Sequence, residues 1–165
     1  KKRMVICPGS EWESKRWSFE SLECFLDLAN KDGWDIILLG SQKDRHFLGD
    51  INHSRPFIKN LVGQTSVVEA LDLIDLADVV VANDSGLMHM GLAVGKPVVA
   101  IYGPTDSSLT IPKQGFFKEV SLDLACRSCY QKKCPLMHRA CMMKITANDV
   151  MLAVKEIYQD AYSHC

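Results

Sequence analysis

The stretch Val79-Val80-Val81-Ala82-Asn83-Asp84-Ser85-Gly86-Leu87-Met88-His89 is an apolar run that stops at small and polar residues and then resumes at helical spacing. It predicts a buried strand that delivers a turn and the start of a helix. Open α/β sheets take their ligands at the carboxyl ends of strands, and the next helix offers an anion unpaired backbone N–H groups and a partial positive charge. In that setting Asp84 accepts from sugar hydroxyls, Ser85 and Gly86 let the backbone approach a phosphate, and His89 falls one turn into the helix on the same side. The same residue types are also plain capping vocabulary, with His89 an ordinary helix histidine. The stretch taken alone leaves both uses open.

Working outward, the same strand-then-helix unit repeats. Met4 to Cys7 is a short strand closed by Pro8-Gly9, and Ser18 caps a helix with Phe19, Leu22, Phe25, Leu26 and Ala29 on one face. Trp34 to Leu39 is a near-continuous apolar strand ending at Gly40-Ser41, and a polar helical segment from Gln42 to about Asn52 is predicted after it. Phe57 to Val62 gives a third strand, and Ser66 caps a helix carrying Val67, Ala70, Leu71 and Ile74. Lys96 to Ile101 is a further buried strand, stopped by Gly103-Pro104-Thr105-Asp106. A strand near Phe117 to Leu122 precedes a Cys-rich loop at 126–141, and a helix over about 146–162 closes the chain. Alternation with such short connections predicts an α/β fold, one Rossmann-like parallel sheet with helices on both faces, built as a single domain over 1–165. Four loops then share one rim: Pro8 to Trp17, Gly40 to Asp44, Asn83 to His89 and Gly103 to Asp106.

The hydrophobic share of 47% against 24% charged residues excludes a disordered chain. With 19 Lys and Arg against 20 Asp and Glu, a general nucleic-acid binder is not expected. No apolar segment approaches the ~20 residues of a membrane span, and no signal peptide is read at the start. Seven cysteines, an odd number, fit a reducing compartment, so a cytoplasmic protein is expected.

Two constellations carry possible chemistry. The loop Pro8-Gly9-Ser10-Glu11-Trp12-Glu13-Ser14-Lys15-Arg16-Trp17 sets a glycine, hydroxyls and two cations beside the rim. Lys15 and Ser10 suit a diphosphate, which takes point charge and directed hydrogen bonds; the alternative is a solvated loop in which Lys15 and Arg16 pair with Glu11 and Glu13. Neither a Walker A spacing nor a GxGxxG fingerprint is present. The second constellation is Cys126-x2-Cys129-x4-Cys134-x6-Cys141 with His138 between the last two, a candidate structural zinc site or a set of reduced thiols in a loop. No cysteine carries the local signature of a nucleophile.

The ordered set Pro8-Gly9-Ser10, Lys15-Arg16-Trp17, Leu38 to Asp44, Leu61 to Thr65, Asn83 to His89, Gly95-Lys96-Pro97 and Tyr102 to Asp106 closely resembles the carboxy-terminal half of family 9 glycosyltransferases, the ADP-heptose:lipopolysaccharide heptosyltransferases. The resemblance covers nearly the whole chain, and Asp-Ser-Gly-Leu-x-His with the Gly-Pro-Thr turn is its most specific part. It implies a GT-B enzyme whose carboxy-terminal domain holds ADP-heptose and needs no cofactor. Carried over, Lys15 binds the diphosphate with Ser10 nearby, and Asp84 contacts the heptose. Ser85 and Gly86 present N–H groups to the phosphates with His89 beside them, while Ser41, Gln42, Asp44, Gln64 and Thr65 border ribose and adenine. Some relatives have a ribose-binding carboxylate where Gln42 stands here, with Asp44 as the substitute. The resemblance also implies that the lipopolysaccharide core acceptor and the general base belong to an amino-terminal half, that no residue here is the base, and that the full-length enzyme makes peripheral contact with the inner membrane. A different GT-B or epimerase-like enzyme using a UDP-sugar, and a non-enzymatic zinc-stabilised interaction module, are the alternatives.

Overall fold

The structure is a computed structural model, and it describes residues 1–48, 51, 55–111 and 115–163. Six strands form one sheet: β1 (Arg3–Cys7), β2 (Asp35–Leu38), β3 (Ile58–Asn60), β4 (Val79–Asn83), β5 (Val98–Ile101) and β6 (Phe117–Val120). Their order is β3-β2-β1-β4-β5-β6 and every pairing is parallel. The chain therefore winds outward from β1 to one edge and returns to β4, so that the direction of winding reverses between β1 and β4. In register, Val81 lies between Ile6 and Val99 in the middle of the sheet.

Side-chain alternation along the strands divides the core in two. Met4, Ile6, Val79, Val81 and Val99 face α1 (Phe19–Lys31) and the closing helix α6 (Ala147–Tyr162), where Leu22, Phe25, Val150 and Val154 complete the packing. Val5, Cys7, Val80, Ala82 and Ala100 face α3 (Val67–Asp75) and α4 (Gly86–Ala93). Small side chains on this second face let α4 sit close, and a Cβ on its Gly91 would come to 3.1 Å from the Val98 side chain. Burial of both faces explains why the central strands read as continuous apolar runs instead of alternating ones.

The caps follow the sequence. Ser18 accepts from the Ser21 amide at 3.0 Å, and Ser66 and Thr146 form capping boxes with Glu69 and Asp149. The segment after Gly40 departs from one predicted helix: a 3-10 turn at Gln42–Asp44 leads into the single helical turn α2 (Arg45–Leu48), and most of the remainder lies outside the described residues. The split arises because Asp44 turns back to cap its own segment instead of facing solvent. The third strand is also shorter than predicted: Leu61 to Gln64 close a turn through the left-handed Gly63, while the Leu61 and Gly63 amides still donate to the Leu38 and Gly40 carbonyls. Apart from α5 (Ala140–Met143), residues 121–146 carry no regular element. Among the described residues no helix is long and apolar enough to cross a membrane.

Candidate functional site

At the reversal between β1 and β4 the last residue of β4 is tied to the first residue beyond β1. The Asn83 side-chain amide donates to the Pro8 carbonyl at 2.7 Å, and both residues are buried. At the same rim lies a cleft of about 450 Å³, within the range of small-ligand sites. Three of the four rim loops reach it: Gly9 and Ser10 from the first, Ser41, Gln42 and Asp44 from the second, Ser85 and Gly86 from the third. Thr65 joins them, and Val67, Ala70, Leu87 and Met90 supply an apolar wall.

The first turn is shaped by contact with the second. Asp44 is buried and its Oδ2 accepts from the Ser41 amide at 2.7 Å and the Ser41 hydroxyl at 2.8 Å. Its carboxylate packs so closely on Gly9 that any Cβ there would fall inside it. Asp44, predicted as a ribose contact, thus lines the cleft while one of its oxygens is committed to Ser41. Burial, with the Asp44 charge adding to it, pushes the Cys7 thiol up to about 12, which makes that cysteine unreactive at neutral pH.

Ser85 stands at the N-cap of α4 in extended conformation, yet its side chain caps nothing. Its hydroxyl is buried without a hydrogen-bond partner and belongs to the lining of the cleft. Capping chemistry therefore does not account for Ser85, and an acceptor-rich ligand at the helix N-terminus would.

Beside Ser85, Asp84 is 8% exposed and accepts from Lys15 Nζ at 2.7 Å and Thr105 Oγ1 at 2.8 Å. Lys15 also lies 4.5 Å above the Trp12 ring. The pairing of Lys15 with Glu11 or Glu13 is replaced by this pairing with Asp84, while Arg16 donates to the Ser10 carbonyl at 2.9 Å. A cation, a carboxylate and a hydroxyl from three separate loops thus meet at one edge of the cleft. Four predicted substrate-binding residues are outside the cleft lining: Lys15 and Asp84, paired at its edge, and His89 and Gln64. His89 is exposed on α4 and Gln64 is exposed with its amide donating to the Asn60 carbonyl, and neither lines the cleft. Helical spacing carried His89 past the cleft, and the Gly63 turn swung Gln64 outward.

Thr105, Asn83 and Trp12 are the contributors that residue-level reading did not assign. Asn83 and Thr105 act through partners remote in sequence, so no local pattern could reveal them, whereas Trp12 meets Lys15 three residues on.

The Cys-rich loop props the rim from outside. Ser14 donates its amide to Lys132 O at 3.2 Å and its hydroxyl to Gln131 O at 2.6 Å, Arg139 donates to the Glu13 and Arg16 carbonyls, and the Tyr130 amide donates to Pro104 O at 2.8 Å. The predicted zinc site is not formed: among the described residues no group of three or more His, Cys, Asp or Glu is arranged to hold a metal ion. Six cysteines, these four included, are free thiols.

Comparison with known proteins adds the following. The family model described as glycosyltransferase family 9 (heptosyltransferase) matches residues 1–140. The lipooligosaccharide heptosyltransferase 2 of Campylobacter jejuni serotype O:2 is 32% identical over 169 residues, covering 98% of this chain and 53% of that protein. The lipooligosaccharide heptosyltransferase 2 of Haemophilus ducreyi is 41% identical over 115 residues, covering 65% of this chain and 33% of that protein. Among solved structures, Escherichia coli ADP-heptose lps heptosyltransferase II superposes with a TM-score of 0.79 at 26% identity, over 97% of this chain and 47% of that one. The chain spans about half, or less, of the length of the relatives it matches.

Proposed function

The chain belongs to glycosyltransferase family 9, the heptosyltransferases, and from that premise we propose that it is the donor-binding domain of an inverting enzyme that transfers heptose from ADP-heptose to the lipopolysaccharide inner core. The observation that carries this reading is the partnerless Ser85 hydroxyl at the start of α4, inside a cleft at the β1/β4 reversal. A diphosphate supplies what that hydroxyl and the helix N-terminus lack. Ser10 and Gly86 complete its cradle. The wall of Val67, Ala70, Leu87 and Met90 takes the adenine, and Ser41, Gln42 and Thr65 border the ribose.

Lys15 and Asp84 have complementary duties in this reading. On donor binding the Lys15 ammonium faces the diphosphate and Asp84 accepts from heptose hydroxyls, with Thr105 holding the carboxylate in place. When the anomeric C–O bond breaks, negative charge grows on the leaving diphosphate, and Lys15 and the α4 N-terminus stabilise it. No residue of this chain is assigned as general base. A carboxylate from the acceptor-binding part of the whole protein takes the proton of the attacking core hydroxyl. Transfer then takes place at the cytoplasmic face of the inner membrane, by peripheral contact.

Calorimetric titration tests the reading. ADP-heptose and ADP are expected to bind the chain and UDP to bind far more weakly. Absence of binding by any of the three, or a preference for UDP, would overturn it.

A further inference from the structure

The Lys15–Asp84 pair is drawn from two short turns that have little of their own to hold them. Lys15 ends the 3-10 turn Glu13–Lys15, which is closed by two backbone bonds, the Lys15 amide to Trp12 O and the Arg16 amide to Glu13 O, both at 3.1 Å. Its N-cap, Trp12, makes no side-chain capping bond. Thr105, which donates to Asp84, lies in the turn after β5. An isolated turn fixes many dihedrals for each hydrogen bond it gains, so its place has to be set from outside.

Both turns are gripped by the same three consecutive residues. Tyr130 takes the turn at 104–106 from both ends: its amide donates to Pro104 O at 2.8 Å, and its hydroxyl oxygen accepts from the Asp106 amide at 3.2 Å. Thr105 lies between these two anchors. Gln131 and Lys132 take the other turn through Ser14, whose hydroxyl donates to Gln131 O at 2.6 Å and whose amide donates to Lys132 O at 3.2 Å. Ser14 is buried, and the next residue is Lys15. Lys132 Nζ also lies 5.9 Å from the centroid of the Trp12 ring over which Lys15 rests. Three consecutive residues reach about 7 Å, so two turns held by them cannot part without breaking one of these bonds.

We propose that residues 130–132 are a strap that sets the separation of Lys15 and Asp84, with Tyr130 and Ser14 as positioning residues for the donor. The proposal rests on the reading above, in which Lys15 faces the diphosphate and Asp84 the heptose. The two ends of the strap then serve different parts of one ligand. Slackening the Tyr130 end frees the Thr105 turn, lets the Asp84 carboxylate drift and loosens the hold on the sugar. Slackening the Ser14 end lets Lys15 drift and loosens the hold on the diphosphate, which ADP and ADP-heptose share. Small displacements of such groups are costly, because directed hydrogen bonds tolerate little misplacement. A residue that only stabilised the fold would not separate the sugar from the diphosphate.

The test is calorimetry of the full chain with ADP and with ADP-heptose. Tyr130→Phe keeps the ring and the amide and removes only the hydroxyl; it is expected to raise the Kd for ADP-heptose about fivefold and to leave that for ADP within about twofold. Ser14→Ala is expected to raise both about fivefold. A second readout needs no ligand: acetic anhydride should acylate Lys15 faster in both variants, measured against exposed Lys59 of the same chain. If Ser14→Ala fails to fold, Tyr130→Phe decides alone. Equal weakening of both ligands by Tyr130→Phe, or affinities unmoved in both variants, overturns the proposal. Should the unaltered chain bind neither ligand, the donor reading falls instead, and acylation of Lys15 no faster in either variant then overturns the strap as well.

Discussion

The cleft at the β1/β4 reversal and the Cys-rich loop lie side by side but are held by different physics. The cleft is an outcome of the sheet: parallel strands with matched ends bring the Gly9, Ser41 and Ser85 turns to one rim, and the strands beneath are almost wholly buried. The loop has no ladder and little core, and it is held by scattered hydrogen bonds and left-handed residues. A cleft supported by a core can leave one hydroxyl unsatisfied for a ligand, because the surrounding packing bears the cost. A loop with no such reserve rests on those few bonds to the rim turns.

That contrast can be broken by mutation, and the largest effect is expected at Gly9. Gly9→Ala drives a methyl into the Asp44 carboxylate and should cost about 3 kcal/mol in urea unfolding and abolish ADP binding. A loss below about 1 kcal/mol would mean that the two turns are not rigidly packed. Next come Lys15→Ala and Asp84→Ala, each expected to weaken ADP-heptose binding by 10-fold or more, about 1.4 kcal/mol upward, in calorimetry while the sheet stays folded by circular dichroism. Unchanged affinity in both would remove them from the site. Arg139→Ala should cost about 1 kcal/mol and speed amide exchange at Glu13 to Arg16 while β1 and β4 exchange as before. Equal acceleration in the strands would mean that loop and cleft are one cooperative unit.

The smallest effect serves as a reference outside both regions. Burial alone would raise the Asp32 carboxyl, but hydrogen bonds from Lys2, Lys155 and Trp34 and the Lys2 charge together hold it below the usual carboxylate range. A depressed folded-state value stabilises the protein above the unfolded value of about 4, and the contribution disappears as pH falls through the folded one. Asp32→Asn should therefore lower the unfolding free energy at pH 7 by about 0.5–1 kcal/mol, read as a small fall in the midpoint of thermal unfolding. As the pH falls through the depressed folded-state value the two proteins should converge. A constant difference across that range would assign the loss to geometry instead of charge.

What the sequence disclosed follows the same division. Runs such as Val79 to Ala82 and caps such as Ser18 and Ser66 are local signals, and from them the strands, helices and shared rim were legible. Ser10, Ser41, Gln42, Thr65, Ser85 and Gly86 were legible as rim residues because a turn after a parallel strand lies at the rim by topology. The Lys15–Asp84–Thr105 meeting was not, since it joins three loops whose relative reach depends on packing. His89 and Gln64 lie outside the cleft lining for a related reason: spacing fixes the side of a helix or turn but not how far the cleft extends along it. In the Cys-rich loop the cysteine pattern was plain, and the left-handed backbone that shapes it was invisible, because Ser, Tyr, Met and Arg do not announce that conformation as glycine does.

The bond from Asn83 to the Pro8 carbonyl joins residues 75 positions apart. A contact of that span forms only after the intervening helices and strands have been gathered in, because the loop-closure entropy has to be met before the contact contributes anything. The tie between the ends of β1 and β4 is therefore expected to form later than the local helices. Capture of a nucleotide would report that β4 has docked against β1, and in refolding experiments its appearance should lag the recovery of helical signal.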